Sequence, residues 1–253
     1  MPADLAADLA CALDPAVFAA SLGIVPDGWQ AGVLRTPSKR LLLLCSRQSG
    51  KSTTTAVLAL HRAVYRPNSL VLLVSPSLRQ SSELFRKATA LLRLVEPAPA
   101  RIEDNRLSLE LANGSRIVSL PGSEATVRGF SGASLIIEDE AARVDDALYE
   151  AIRPMLATSD GDLVLLSTPF GRRGHFHDAW EHGGDAWERV RVTARDCPRI
   201  SESFLAGERA AMGSLAFRSE YDVEFVDTID SAFNSEHIAA ALDAGLAPLW
   251  GAA

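Results

Sequence analysis

The five apolar residues 41–45, Leu-Leu-Leu-Leu-Cys, run directly into Ser46-Arg47-Gln48-Ser49-Gly50-Lys51-Ser52-Thr53, and no other stretch restricts the fold as sharply. An unbroken apolar run of this length suits a strand covered on both faces, as in a parallel sheet between helices. The polar turn after it carries one glycine, which opens backbone geometry that a Cβ would penalise. Successive amides of such a turn converge on oxyanions, and a following helix adds its amino end. Lys51 can then reach the β and γ phosphates of a nucleotide, and the Ser52 hydroxyl can sit on Mg2+. The usual pattern opens with a glycine five residues before that of its Gly-Lys pair, and here Cys45 holds that place. The context supplies what the letter lacks: buried strand, polar turn, Gly-Lys-Ser, then a helix-compatible run.

The rest of the chain alternates in the same manner. Helices are expected over residues 3–12, 15–22, 51–65, 77–95, 144–156, 174–180, 201–211 and 214–221. Strands are expected over 41–45, 70–75, 135–137, 163–167 and 187–192, with a final edge strand at 223–226. Trp29 and Gln30 read as a connector ahead of the first strand. Asn113-Gly114, between 107–111 and 116–120, is a strong hairpin signal, and a flexible stretch follows over 121–132. The fold class is α/β, a P-loop NTPase with a mostly parallel sheet flanked by helices and an inserted β-hairpin. The expected domains are an N-terminal helical segment (1–28) and an ATPase domain (29–226). Sheets of this kind place ligands beyond the carboxyl ends of their strands. Residues 45, 137 and 167 end strands that lead into the chain's most unusual polar residues.

One of those ends reads Ile137-Glu138-Asp139-Glu140-Ala141-Ala142. It fits a Walker B segment, an aliphatic strand with acids emerging at its end. The three acids are consecutive, so register matters. The Asp-Glu pair directly before Ala-Ala favours Asp139 for the Mg2+ shell and Glu140 for the water attacking the γ phosphate. Strand alternation puts Glu138 on the opposite side, where a helix residue is its expected partner. Phosphoryl transfer rests on positioning and charge neutralisation and needs no covalent nucleophile. ATP and Mg2+ are the expected cofactors.

Other residues have weaker signals. Ser167-Thr168-Pro169 can sense the γ phosphate or simply cap a strand end. Gln30 can pair with an adenine edge through both donor and acceptor. Arg47 can act on the γ phosphate in cis, face a neighbour or cap the loop, whereas Gln48 is expected to shape the turn. Arg128-Gly129 and Arg143 are candidates to project into a neighbouring site. His175 and His177 could face the same way only on a strand, and no carboxylate-rich or cysteine-rich set accompanies them, so no dedicated metal site is expected. Arg79, Arg86, Lys87, Arg172 and Arg173 can touch DNA phosphate, or can serve as solvated helix charges.

A net charge of -7 argues against a dominating basic surface but leaves room for a local cluster. Cys11, Cys45 and Cys197 lack metal-ligand spacing and are expected to be reduced and mostly buried. No apolar run is long enough to span a membrane, and the start of the chain does not read as a signal peptide.

Taken together, Trp29-Gln30, Ser46-Arg47-Gln48-Ser49-Gly50-Lys51-Ser52, Arg128-Gly129, residues 136–142 and Ser167-Thr168-Pro169 resemble the ATPase domain of the large terminase subunit of tailed phages and prophages. The similarity covers most of residues 15–233. The resemblance implies ATP-driven translocation of double-stranded DNA into a viral procapsid. It also implies a ring of subunits at the portal protein in the host cytoplasm, a small terminase subunit as partner, and no membrane. It places Gln30 by adenine, Lys51 and Ser52 by phosphate and Mg2+, Arg47 as a candidate cis arginine, Asp139 at the metal, Glu140 at the water, and Ser167 and Thr168 in a coupling segment; Arg47, Gln48, Ser49, Gly50 and Thr53 of the turn are expected to bind the nucleotide with them. Phe225-Val226-Asp227, followed by Ala232-Phe233, resembles the passage into the family's RNase H-like nuclease. No acid of the chain matches the nuclease set, so residues 227–253 are expected to be a linker toward an absent nuclease domain, and cutting is not expected. The chain reads as a domain of a longer protein, a split gene or a degraded prophage product. Two rivals remain, a helicase-like remodelling ATPase and a non-catalytic nucleotide-binding terminase remnant.

Overall fold

Strands with unbroken aliphatic runs can be buried on both faces, and in this protein they occupy the middle of the sheet. The computed structural model describes residues 2–226 apart from 121, 123–126 and 128. Its strands are β1 (Arg40–Cys45), β2 (Leu70–Val74), β3 (Arg101–Asp104), β4 (Ser108–Leu111), β5 (Arg116–Leu120), β6 (Leu135–Asp139), β7 (Asp162–Ser167) and β8 (Glu188–Val192). They form one sheet in the order β3-β4-β5-β2-β6-β7-β1-β8. From β5 to β8 every pairing is parallel, and β3-β4-β5 is antiparallel.

The helices are α1 (Pro2–Leu13), α2 (Pro15–Ser21), α3 (Gly28–Arg35), α4 (Lys51–Tyr65), α5 (Leu78–Leu92), α6 (Asp146–Ile152), α7 (Gly174–His182), α8 (Glu202–Ala211) and α9 (Ser214–Glu220). Alternation along β1 divides them into two layers. Leu41, Leu43 and Cys45 share one core with Phe18 of α2, Leu60 of α4 and Phe85 of α5. Leu42 and Leu44 share the other with Leu148 of α6 and Phe176 of α7. Ala194, Leu205, Phe217 and Tyr221 form a small separate core around α8 and α9. Among the described residues no helix is long and apolar enough to cross a membrane.

Four local expectations are corrected. Trp29 and Gln30 lie in α3, not a connector. Its start is set by a capping box, in which Gln30 Oε1 accepts the Asp27 N–H at 2.8 Å. The hairpin gains a third strand, β3, whose four residues are exposed and so carry no apolar alternation. The helix expected over 144–156 is shorter, because Pro154 limits α6 and a 3-10 turn, Arg153–Leu156, takes over. Residues 223–226 are not a strand, since Val223 adopts a left-handed φ of 51°. The stretch 121–132 lies largely outside the described residues, as do Arg128 and 227–253.

Strand order assembles the site. β7 separates β1 from β6, with Leu44 beside Ser167 and Asp139 beside Leu166. The carboxyl ends of all three strands therefore open onto one edge.

Candidate active site

The turn between β1 and α4 is shaped by left-handed residues at two points, Gln48 (φ 59°) and Gly50 (φ 95°). A Cβ on Gly50 would stand 2.6 Å from Gln30 Nε2, so the left-handed conformation calls for glycine and a larger residue would also displace the end of the Gln30 side chain. α4 starts at Lys51 and aims its amino end at the same point. Cys45, in the place of the usual first glycine, is fully buried, and burial pushes its thiol up to about 12, with Lys51 opposing. It is a packing residue that stays neutral. The Ser46, Ser49 and Ser167 hydroxyls are also buried. Apart from the Cys197 and Cys45 thiols beside the first two, they have no partner among the described residues.

Across the crevice, β6 turns sharply at Glu140, whose φ is 56°. Lys51 Nζ lies 2.9 Å from Glu140 Oε1, and Arg143 Nη1 lies 3.2 Å from Glu140 Oε2. Ser52 Oγ is 3.4 Å from Asp139 Oδ2. Asp139 Oδ1 accepts the Glu140 N–H at 3.0 Å. Asp139 is buried and in no ion pair among the described residues. Burial raises its carboxyl to about 6; Lys51 and, more weakly, Lys87 of α5 pull it down, and Glu140 pushes it up. A buried carboxylate beside a helix-start hydroxyl, without a cation of its own, is a donor set suited to a hard divalent ion.

Glu138 points to the other face, as strand alternation requires, and its partner is a helix residue. His175 Nε2 of α7 lies 3.2 Å from Glu138 Oε1, an ion-pair contact without hydrogen-bond geometry. His175 Nδ1 lies 3.1 Å from Asp146 Oδ1, and its ring stacks on Tyr149 with centroids 4.2 Å apart. His175 and His177 sit on a helix, where residues two apart diverge.

Gln30 is buried against Gly50. Thr53 continues the first turn of α4, its N–H donating to the Gly50 carbonyl at 3.0 Å. Thr168 accepts from Arg143 Nη1 at 3.1 Å. Arg47 is tied to α9: its Nε pairs with Glu220 Oε2 at 2.7 Å, and its N–H donates to the Glu220 carbonyl at 3.2 Å. Arg79 and Lys87 are exposed, Arg86 pairs with Glu83, Arg172 bonds the Phe225 carbonyl, and Arg173 lies over Phe170.

Sequence reasoning gave no place to Arg199. It forms a two-point pair with Asp27 at 2.8 and 2.7 Å and donates to the Ser49 carbonyl at 3.2 Å. It thereby fastens the turn between β1 and α4 to the start of α3. Local sequence holds no signal for so distant a contact, although the Asp27-to-Gln30 capping pattern does mark the partner.

The family described as terminase large subunit, T4likevirus-type, N-terminal, matches residues 42–240, well over half of the chain. The chain belongs to that family. It is 29% identical over 248 residues to the large terminase subunit of Thermus virus P23-45, covering 84% of this chain and 51% of that protein. It is also 29% identical over 214 residues to the large terminase subunit of Escherichia phage T5, covering 80% and 48%. The chain thus spans about half the length of the curated relatives it matches. Among solved structures, the large terminase ATPase domain of Thermus phage P74-26 superposes with a TM-score of 0.73 at 25% identity, covering 83% of this chain and 97% of that one. The large terminase of a thermophilic bacteriophage, solved with ADP, gives 0.68 at 10% identity over 79% of this chain and 54% of that one, which bears on the fold alone. The α/β sheet between helix layers is therefore the architecture of large terminase ATPase domains.

Proposed function

We propose that this chain is the ATP-hydrolysing unit of a DNA-packaging motor, with residues 29–226 as its ATPase domain. The observation that carries this reading is the meeting of Lys51, Ser52, Asp139 and Glu140 at one edge of the sheet, with Lys51 and Glu140 2.9 Å apart. Those groups stand on rigid ends of α4 and β6, as preorganised electrostatic catalysis requires.

In this reading Lys51 and the turn amides of residues 47–52 bind the triphosphate, and Gln30 lies by the adenine. Ser52 and Asp139 hold Mg2+, which when bound neutralises charge on the β and γ phosphates. Glu140 orients the attacking water and accepts its proton as the new P–O bond forms at the γ phosphorus and the bond to the ADP oxygen breaks. Ser167 and Thr168 report the state of the γ phosphate to the rest of the domain. Double-stranded DNA is the cargo, and the portal protein, a small terminase subunit and further copies of the chain in a ring are the partners. These follow from the family to which the chain belongs. The site of action is then the procapsid portal in the host cytoplasm.

The test is ATP binding and phosphate release by the chain, with and without double-stranded DNA. Glu140→Gln is expected to keep ATP affinity and lose about 10²–10⁴-fold in hydrolysis. Wild-type turnover in that variant would sink the assignment. A chain that binds ATP but never hydrolyses it, with DNA and portal protein present, would instead be a nucleotide-binding remnant.

A further inference from the structure

Three contacts converge on Arg143. Its Nη1 lies 3.2 Å from Glu140 Oε2 and donates to Thr168 Oγ1 at 3.1 Å. Its guanidinium carbon stands 4.5 Å from the centre of the Phe170 ring. Its own N–H donates to the Glu140 carbonyl at 2.8 Å, closing the 3-10 turn Ala141–Arg143. The residue is thus fixed by its backbone to the end of β6 and by its side chain to the segment after β7. The sequence left open a role in a neighbouring subunit's site; in the structure this guanidinium is turned into its own.

The Glu140 carboxylate is held by two cations, Lys51 and Arg143. They cannot be equivalent. Lys51 starts α4 in the phosphate turn, and its ammonium has to leave Glu140 to reach a triphosphate. A partly buried carboxylate stripped of its partners is costly and free to rotate. Arg143 has no phosphate role in that geometry and stays. Its flat, forked guanidinium can hold a carboxylate and a hydroxyl while resting on an aromatic ring, which a lysine ammonium cannot reproduce.

We propose that Arg143 is a positioning residue: it holds the Glu140 carboxylate in place when Lys51 moves to phosphate, and through Thr168 and Phe170 it makes the segment after β7 respond to that exchange. The inference rests on the nucleotide reading above and deepens it. Arg143 acts on the water only through Glu140.

The experiment uses the whole chain with ATPγS as ligand and two readouts, nucleotide affinity and backbone hydrogen exchange over residues 167–171. In the wild type, ATPγS is expected to change exchange in that segment. Arg143→Ala is expected to bind ATPγS within about twofold of wild type and to lose the exchange response. Where ATP turnover is measured, Arg143→Ala should lower kcat by about tenfold or more with KM little changed. In a Glu140→Gln background the same substitution should cause no further loss, because the two residues act in series. Arg143→Lys should recover part of kcat but not the exchange response. Additive losses in the Glu140→Gln background, a segment that responds equally without Arg143, or a wild-type segment that ignores bound ATPγS would each overturn the proposal. If Arg143→Ala melts early, Thr168→Val removes the same bridge from the other end and is expected to lose the same exchange response; if it keeps it, the relay is wrong. A wild-type chain that does not bind ATPγS overturns the nucleotide reading instead.

Discussion

The two edges of the parallel sheet are both polar, yet they are finished in opposite ways. At the amino edge a cavity of about 580 Å³ is lined by Asp14, Arg35, Lys39, Arg62 and Asp162. Its charges other than Arg66 have partners: Arg35 with Asp14, Lys39 with Asp160, and Arg62 with Asp162 and the Ser134 carbonyl. At the carboxyl edge, among the described residues, the Ser49 and Ser167 hydroxyls are buried without a strong partner and Asp139 has no paired cation, while Gln48 and Glu140 hold left-handed backbone. Buried polar groups are normally satisfied, and strained backbone persists where function retains it. Unsatisfied polarity selects the carboxyl edge, the one formed by β1, β6 and β7.

The largest expected effect separates the edges directly. Lys51→Ala removes the ammonium from the carboxyl edge and should cost about 2–5 kcal/mol of ATP affinity, roughly thirtyfold or more, in an equilibrium titration. An unchanged affinity would break the comparison at its strongest point. Next comes Gly50→Ala. With φ at 95° and Gln30 Nε2 2.6 Å from the added Cβ, it should cost about 1–3 kcal/mol. That loss should appear both in the unfolding midpoint and in ATP affinity, because the strain lies in the turn proposed to bind phosphate.

Arg62→Ala is the control from the amino edge. It strands the partly buried Asp162 and takes a 2.6 Å donor from the Ser134 carbonyl. A stability loss of about 1–3 kcal/mol is expected, with ATP affinity held within about twofold. Nucleotide binding that falls as far as in Lys51→Ala would show that the paired edge also serves the ligand.

The sequence carried the local half of this contrast. Residues 41–53 announce strand, turn and helix because burial on both faces demands an unbroken apolar run and the turn demands glycine; α4 begins and ends where expected, at Lys51 and Tyr65. Period-two alternation was enough to place Glu138 away from Asp139. It could not say that the helix partner would be His175, nor that Arg199 would lie against Ser49, because such contacts depend on how distant elements pack. Strand order was equally silent. Nothing in residues 163–167 says that β7 would lie between β1 and β6, yet this insertion brings Thr168 within reach of Arg143. Two elements were missed for opposite reasons. α3 is short and contains Gly28 and Gly32, which mask its helical character, whereas β3 is exposed along its whole length and has no apolar face to betray it.

The smallest expected effect sharpens the comparison within the carboxyl edge, between the two faces of β6. Asp139 lies beside Ser52 and Glu140 beside Lys51, whereas Glu138 faces His175 in a cluster with Asp146 and Tyr149. Burial alone would lower the imidazole pKa, but Glu138 and Asp146 outweigh it, so His175 stands above its ordinary 6.5. Its folded form therefore holds a proton more tightly than its unfolded form. The corresponding stability is fully present below 6.5 and is lost as pH rises through the folded value. His175→Gln removes that titration. The unfolding midpoint of the wild type relative to the variant, followed from about pH 5.5 to about pH 9, should fall as pH rises. A flat difference would mean that His175 packs as a neutral ring on Tyr149, and that the Glu138 face is held by stacking and not by charge.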